Sequence, residues 1–151
     1  RALRDALLVF GLRSFVKTSG GRGLHVVAPI VREQDWSQCL AFSRALALAL
    51  ERLHPRTFTT RYAKKGREGK ILLDYLRNNR TNTTIAAFSP RARDGAPVSF
   101  PVAWEDLTPR LDPEKITIAT VPRRLRDDPW KDYWTLRQRL PAAEVEAGTA
   151  L

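Results

Sequence analysis

The stretch Lys17-Thr18-Ser19-Gly20-Gly21-Arg22-Gly23-Leu24-His25 sets three glycines in four positions beside a hydroxyl, a guanidinium and an imidazole. Those residue types in that order suit a polyphosphate. Glycine admits positive φ, which lets successive backbone N–H groups gather into a concavity of the kind that binds anions. Ser19, Arg22 and His25 add side-chain donors to it. The plainer alternative is a tight hairpin turn followed by a structural histidine. The pattern is neither a P-loop GxxxxGK[ST] nor a dinucleotide GxGxxG that opens a helix.

A second chemical group is Asp74, which ends the apolar run of Lys70-Ile71-Leu72-Leu73-Asp74-Tyr75. A carboxylate at the end of a strand suits a divalent cation, although an aspartate that merely starts a turn is the commoner case. Around it lies a strongly basic segment. Residues 61–80 carry seven lysines and arginines against Glu68 and Asp74, which is half of the chain's net charge of +10. Such an excess favours polyanionic partners, with a solvated surface loop as the alternative.

These groups need elements to hold them. Ser14-Phe15-Val16 and Leu24–Ile30 flank the glycine turn as strands, which places the turn at a sheet edge. Leu3, Leu7 and Phe10 recur at helical spacing over residues 1–12, with Gly11 as the stop. Asp35 is suited to cap a longer helix whose stripe is Trp36, Cys39, Leu40, Ala47, Leu50 and Leu53, ending before Pro55 with His54 as a helix-terminal residue. Strands are expected over 57–62 and 70–75, joined by the basic turn Lys64-Lys65-Gly66-Arg67-Glu68-Gly69. Residues 90–101 read as irregular, 104–107 as a helical turn, 116–121 as an extended piece and 129–140 as a last helix, with a frayed tail over 141–151. The fold class expected is α/β (α+β), a mixed or mainly antiparallel sheet with flanking helices. The chain of 151 residues is sized for one domain, and its lack of an apolar run near 18 residues favours a soluble globular protein. It opens on a helical pattern and not on a signal peptide. The single cysteine, Cys39, excludes an internal disulfide and a cysteine-rich zinc site, and core packing is its expected role.

Taken together, residues 15–26, Asp74-Tyr75-Leu76-Arg77-Asn78-Asn79 and residues 89–99 resemble the polymerase domain of bacterial ligase D, of the archaeo-eukaryotic primase superfamily. Further similarity runs through 101–107 and 128–140. The resemblance implies template-directed addition of nucleotides, often ribonucleotides, to a 3′ hydroxyl in repair of double-strand breaks by non-homologous end joining. It implies manganese or magnesium as cofactor and NTP or dNTP as substrate. It assigns triphosphate contacts to Ser19, Arg22 and His25, with Arg22 standing where a lysine is common. Asp74 matches the third metal-binding carboxylate, and Asp74 and His25 are the catalytic candidates. Arg67, Arg77, Arg91 and Arg93 fall where residues meet the incoming nucleotide, although glutamine is frequent around Arg77. Lys17, Lys64 and Lys65 are assigned to nucleic acid, the latter two as sequence-independent phosphate contacts. The partners implied are DNA, nucleoside triphosphates, a ligase domain and the end-binding Ku protein, with no membrane. The location implied is the cytoplasm of a bacterium, at the nucleoid.

One part of the family pattern is missing. The DxD pair that supplies two carboxylates lies, in the family, upstream of the first helix, and neither Asp127-Asp128 nor Leu111-Asp112-Pro113 follows an apolar strand in the right order. Residues 1–140 are therefore expected to be the carboxy-terminal part of a polymerase domain, inactive alone, with an exposed apolar face. A relative that has lost catalysis, a non-catalytic basic nucleic-acid-binding module and a subdomain that only completes a sheet are the competing readings.

Overall fold

The computed structural model describes residues 1–126 and 128–141, so Asp127 and the expected tail from residue 142 on lie outside the described residues. The chain divides into two compact units: Arg1, Gly11–Ile30 and Ile85–Gln138 form one, and Ala2–Phe10, Val31–Thr84 and the described residues from Arg139 to Pro141 form the other.

The first unit is built on a three-stranded antiparallel sheet in the order β2-β1-β5, with β1 at Phe15–Thr18, β2 at Leu24–Val27 and β5 at Pro101–Val102. The hairpin of β1 and β2 runs from Phe15 opposite Val27 to Thr18 opposite Leu24, so the glycine turn leaves directly from the paired ends. β5 lies on the outer side of β1, where the missing N–H of Pro101 costs no ladder bond. Alternation along β1 sends Val16 into a core with Val98, Phe100, Val102 and Ile116, flanked by Trp104, Leu107, Leu111 and Val121. Ile116 is fully buried there and its carbonyl accepts from Val98 N at 2.7 Å. Ile116→Ala is therefore expected to lower the unfolding free energy of this unit by about 2–5 kcal/mol, read by denaturant titration. A loss under about 1 kcal/mol would mean that this cluster is not its core.

The second unit packs α1 (Ala2–Val9) and α2 (Trp36–Leu53) with a two-stranded parallel ladder of β3 (Phe58–Thr59) and β4 (Ile71–Leu72). Gly11, with φ of +69°, follows α1 as the stop its position predicts. Asp35 caps α2 and, with Gln38, forms a reciprocal capping box. Phe42, Leu46, Ala47 and Leu50 make the buried stripe, and Phe10 meets Phe42 edge-on at 5.6 Å. Cys39 is half-buried beside this stripe, and burial pushes its thiol pKa up.

The α/β class and mainly antiparallel pairing hold, and several local expectations are corrected: Trp36 and Leu53, expected in the α2 stripe, are exposed, and residues 116–121 lead through turns into the helical turn Val121–Arg124 and do not run extended. β3 and β4 are short and parallel and do not form a hairpin: Ile71 N donates to Thr57 O and Leu73 N to Thr59 O, because the basic segment loops back to the start of β3. Residues 129–140 form turns and extended chain, not a helix. Trp130 Nε1 donates to Val16 O at 3.0 Å, and the rings of Trp130 and Tyr133 pack on Phe15, so tertiary contacts take the aromatic groups a helix would have used. Residues 90–98, irregular by pattern, close as a tight antiparallel turn with Pro90 opposite Val98 and Arg91 N bonded to Pro97 O.

Candidate functional site

The glycine turn closes on itself through Ser19 N to Gly23 O at 3.0 Å. Gly20 takes a φ of +64°, and a Cβ there would lie 2.5 Å from Arg91 Cγ and 3.1 Å from Pro97 O. A Cβ on Gly21 would lie 3.0 Å from Arg93 Nη1. The two arginines thus lie directly on the turn backbone, and at Gly20 only glycine leaves Arg91 and the Pro97 carbonyl room. Ser19, Gly21, Arg22, Gly23, Arg91, Arg93 and Glu114 line a pocket of about 460 Å³. Three guanidinium groups against one carboxylate give it a positive field, and Glu114 Oε2 accepts from Arg22 Nε at 3.4 Å. That pair is largely exposed and contributes little, so Arg22 is free to exchange Glu114 for a bound anion. Glu114 was not among the expected residues; it lies far along the chain, in the turn Pro113–Lys115, where only the fold shows its neighbour.

Gly20→Ala is expected to destabilise this unit by about 1–2 kcal/mol, since an L-residue resists this φ, and to push Arg91 off the turn. Gly23→Ala, whose Cβ would only brush Ser19 Oγ at 3.3 Å, should change little. Equal melting temperatures for the two variants would show that the turn is not held as described.

Beneath the turn lies a buried polar network. Lys17 is 4% exposed, and its Nζ donates to Ile85 O and Ser99 Oγ, each at 2.6 Å. Ser99 Oγ donates to Thr18 O, while Thr18 Oγ1 donates to Val98 O and accepts from Phe100 N. Burial pushes the Lys17 pKa down to about 8. Lys17 therefore does not present its ammonium to a nucleic-acid surface, as its sequence position had suggested; the charge is turned inward. His25, half-buried on β2, stands opposite Lys17 in register.

In the second unit Asp74 follows β4 by two residues. Its Oδ1 accepts from Tyr62 Oη at 2.9 Å and its Oδ2 from Arg77 Nε at 3.1 Å. Burial first, then the bond to Asp74, push the Tyr62 hydroxyl up to about 12, so it remains a donor. Arg77 Nη1 also donates to Thr83 O, which ties the guanidinium to its own loop. Tyr62 went unnoticed in the sequence because the parallel pairing that brings it beside Asp74 was not legible there. Lys64 and Lys65 are exposed and Arg67 is half-buried, with Arg67 N bonded to Lys64 O. Among the described residues no three His, Cys, Asp or Glu side chains are grouped to hold a metal ion. Asp74 has the hard oxygen chemistry of a divalent-ion ligand, but a single carboxylate does not complete a manganese or magnesium site. No helix among the described residues is long and apolar enough to cross a membrane.

The glycine turn at a sheet edge, with three guanidinium groups converging on it, makes this an anion-binding α/β unit, and comparison with known proteins says which family carries it. Residues 1–134 match the family model "LigD, primase-polymerase domain". The chain belongs to the LigD primase-polymerase domain family. It is 44% identical over 137 residues to the multifunctional non-homologous end joining protein LigD of Pseudomonas aeruginosa, covering 88% of this chain and 16% of that protein. It is 29% identical over 146 residues to the bifunctional non-homologous end joining protein LigD of Bacillus subtilis, covering 95% of this chain and 24% of that one. A solved structure, the polymerase domain from Mycobacterium tuberculosis ligase D in complex with DNA, superposes with a TM-score of 0.75 at 30% identity, covering 88% of this chain and 46% of that chain. The chain thus spans less than half of that domain structure and a smaller part of the full-length relatives.

Proposed function

We propose that this chain supplies the nucleotide-phosphate part of a primase-polymerase that adds nucleotides to 3′ ends during non-homologous end joining. The convergence of Arg22, Arg91 and Arg93 on the glycine turn carries this reading. A triphosphate needs several cations and close backbone approach, and guanidinium groups bind phosphate oxygens in a bidentate fashion. Ser19 and His25 border the same turn as further donors. Arg67 and Arg77 are proposed to meet the incoming nucleotide, and Lys64 and Lys65 to hold DNA by its phosphates. Asp74 is proposed to contribute one carboxylate to a manganese or magnesium ion, the chemistry being phosphoryl transfer by charge neutralisation and positioning. DNA is a proposed partner on the likeness to a polymerase domain solved in complex with DNA, and nucleoside triphosphates, a ligase domain and the end-binding Ku protein are proposed from the resemblance alone, as is a location in the cytoplasm at the nucleoid.

The test is direct. ATP at a hundredfold excess over its dissociation constant should stabilise the folded chain by about 2.7 kcal/mol, seen as a rise in melting temperature. An unmoved melting temperature at millimolar ATP would favour the subdomain that only completes a sheet.

A further inference from the structure

Lys17 is a buried cation whose ammonium is spent on Ile85 O and Ser99 Oγ. Its ammonium joins two parts of the first unit. On one side is β1, from whose last residue the glycine turn departs. On the other is the segment that begins at Ile85 and reaches Ser99, between which Arg91 and Arg93 project onto the turn. Ser99 Oγ, which accepts from Lys17, donates in turn to the carbonyl of Thr18, the residue just before Ser19. Among the described residues no carboxylate forms an ion pair with Lys17, whose ammonium is held by the neutral oxygens of Ile85 and Ser99. Burying such a charge is costly, and a substitution to an apolar residue of similar length would often be tolerated for stability alone.

We propose that Lys17 is a positioning residue for the polyphosphate site, clamping the segment 85–99 to β1 so that Arg91 and Arg93 lie on the glycine turn. The inference rests on the triphosphate reading above.

A double-mutant cycle tests the clamp by isothermal titration with ATP, each variant held well below its melting temperature. Arg91→Ala should weaken ATP binding by about tenfold and Lys17→Met, which releases both arginines, by about a hundredfold, and the double variant should lose little more than Lys17→Met alone, because Arg91 out of place is already lost. A lysine that does not position Arg91 would leave the two losses additive, about a thousandfold together. Wild-type affinity in Lys17→Met, or additive losses, overturns the clamp while leaving the triphosphate reading intact. Absence of ATP binding by the unmutated chain overturns the triphosphate reading and the clamp with it. Should Lys17→Met not fold, Ser99→Ala decides: it removes one acceptor and is expected to lose affinity in the same non-additive way with Arg91→Ala, and unchanged or additive behaviour overturns the clamp.

Discussion

Replacing Arg91 and Arg93 together by alanine is expected to lower ATP affinity by about a hundredfold to ten-thousandfold, since hydrogen bonds to charged groups are worth roughly 1.5–3 kcal/mol each. Both side chains reach the turn from one short loop, closed by Arg91 N to Pro97 O and Ala96 N to Arg93 O. Those bonds are made by backbone and survive the substitution. Arg93 is exposed and Arg91 half-buried, so the stability of the unliganded chain should change by no more than about 1 kcal/mol. Titration calorimetry and thermal unfolding on the same variant separate the two quantities. A double variant that still binds ATP as the unmutated chain does would remove the arginines from the site and leave the turn as an ordinary hairpin.

Asp74→Ala is expected to abolish primer extension, at least about a thousandfold, in a polymerase domain that includes this chain, because on the proposed reading it removes a metal-site carboxylate that supplies several kcal/mol of charge stabilisation. The structure makes the experiment readable. Asp74 accepts from Tyr62 and from Arg77, and the Asp74–Arg77 pair has side chains 33% and 53% exposed. Exposed pairs of this kind are worth about 0–1 kcal/mol, so folding should survive. DNA affinity, which we propose rests on the basic segment, should stay the same or rise slightly as a negative charge leaves. This separates the enzyme from a non-catalytic binding module: in the latter, extension is absent before the substitution. A variant with full extension activity would take Asp74 out of the chemistry and leave it as the acceptor that orders its own loop.

Much of the site was legible because it is local. The glycines of residues 20–23 announce a turn wherever they stand between two strand-like runs, and Asp35 three residues before Gln38 announces a helix start. Gly11 and Pro55 bracket helices for the same reason: each restricts or frees its own backbone. Arg91 and Arg93 were placed by family resemblance, and the structure then showed what they touch.

Other features lay beyond the sequence because they depend on partners far along the chain. Lys17 reads as a surface cation until Ser99, 82 residues later, supplies the hydroxyl that accepts from it. The aromatic run Trp130 to Trp134 reads as a helix face until Val16 O and Phe15 claim its rings. β3 and β4 read as a hairpin until the loop between them doubles back and pairs them in parallel. The sequence by itself determined the glycine turn, its cations, the capped helix and the carboxylate after an aliphatic run, all of which follow from steric and hydrogen-bonding preferences within a few residues. Only the tertiary structure decided that Glu114 faces Arg22, that Tyr62 holds Asp74 and that the Lys17 charge points inward, because burial and long-range hydrogen bonds belong to the packed chain and not to any one segment.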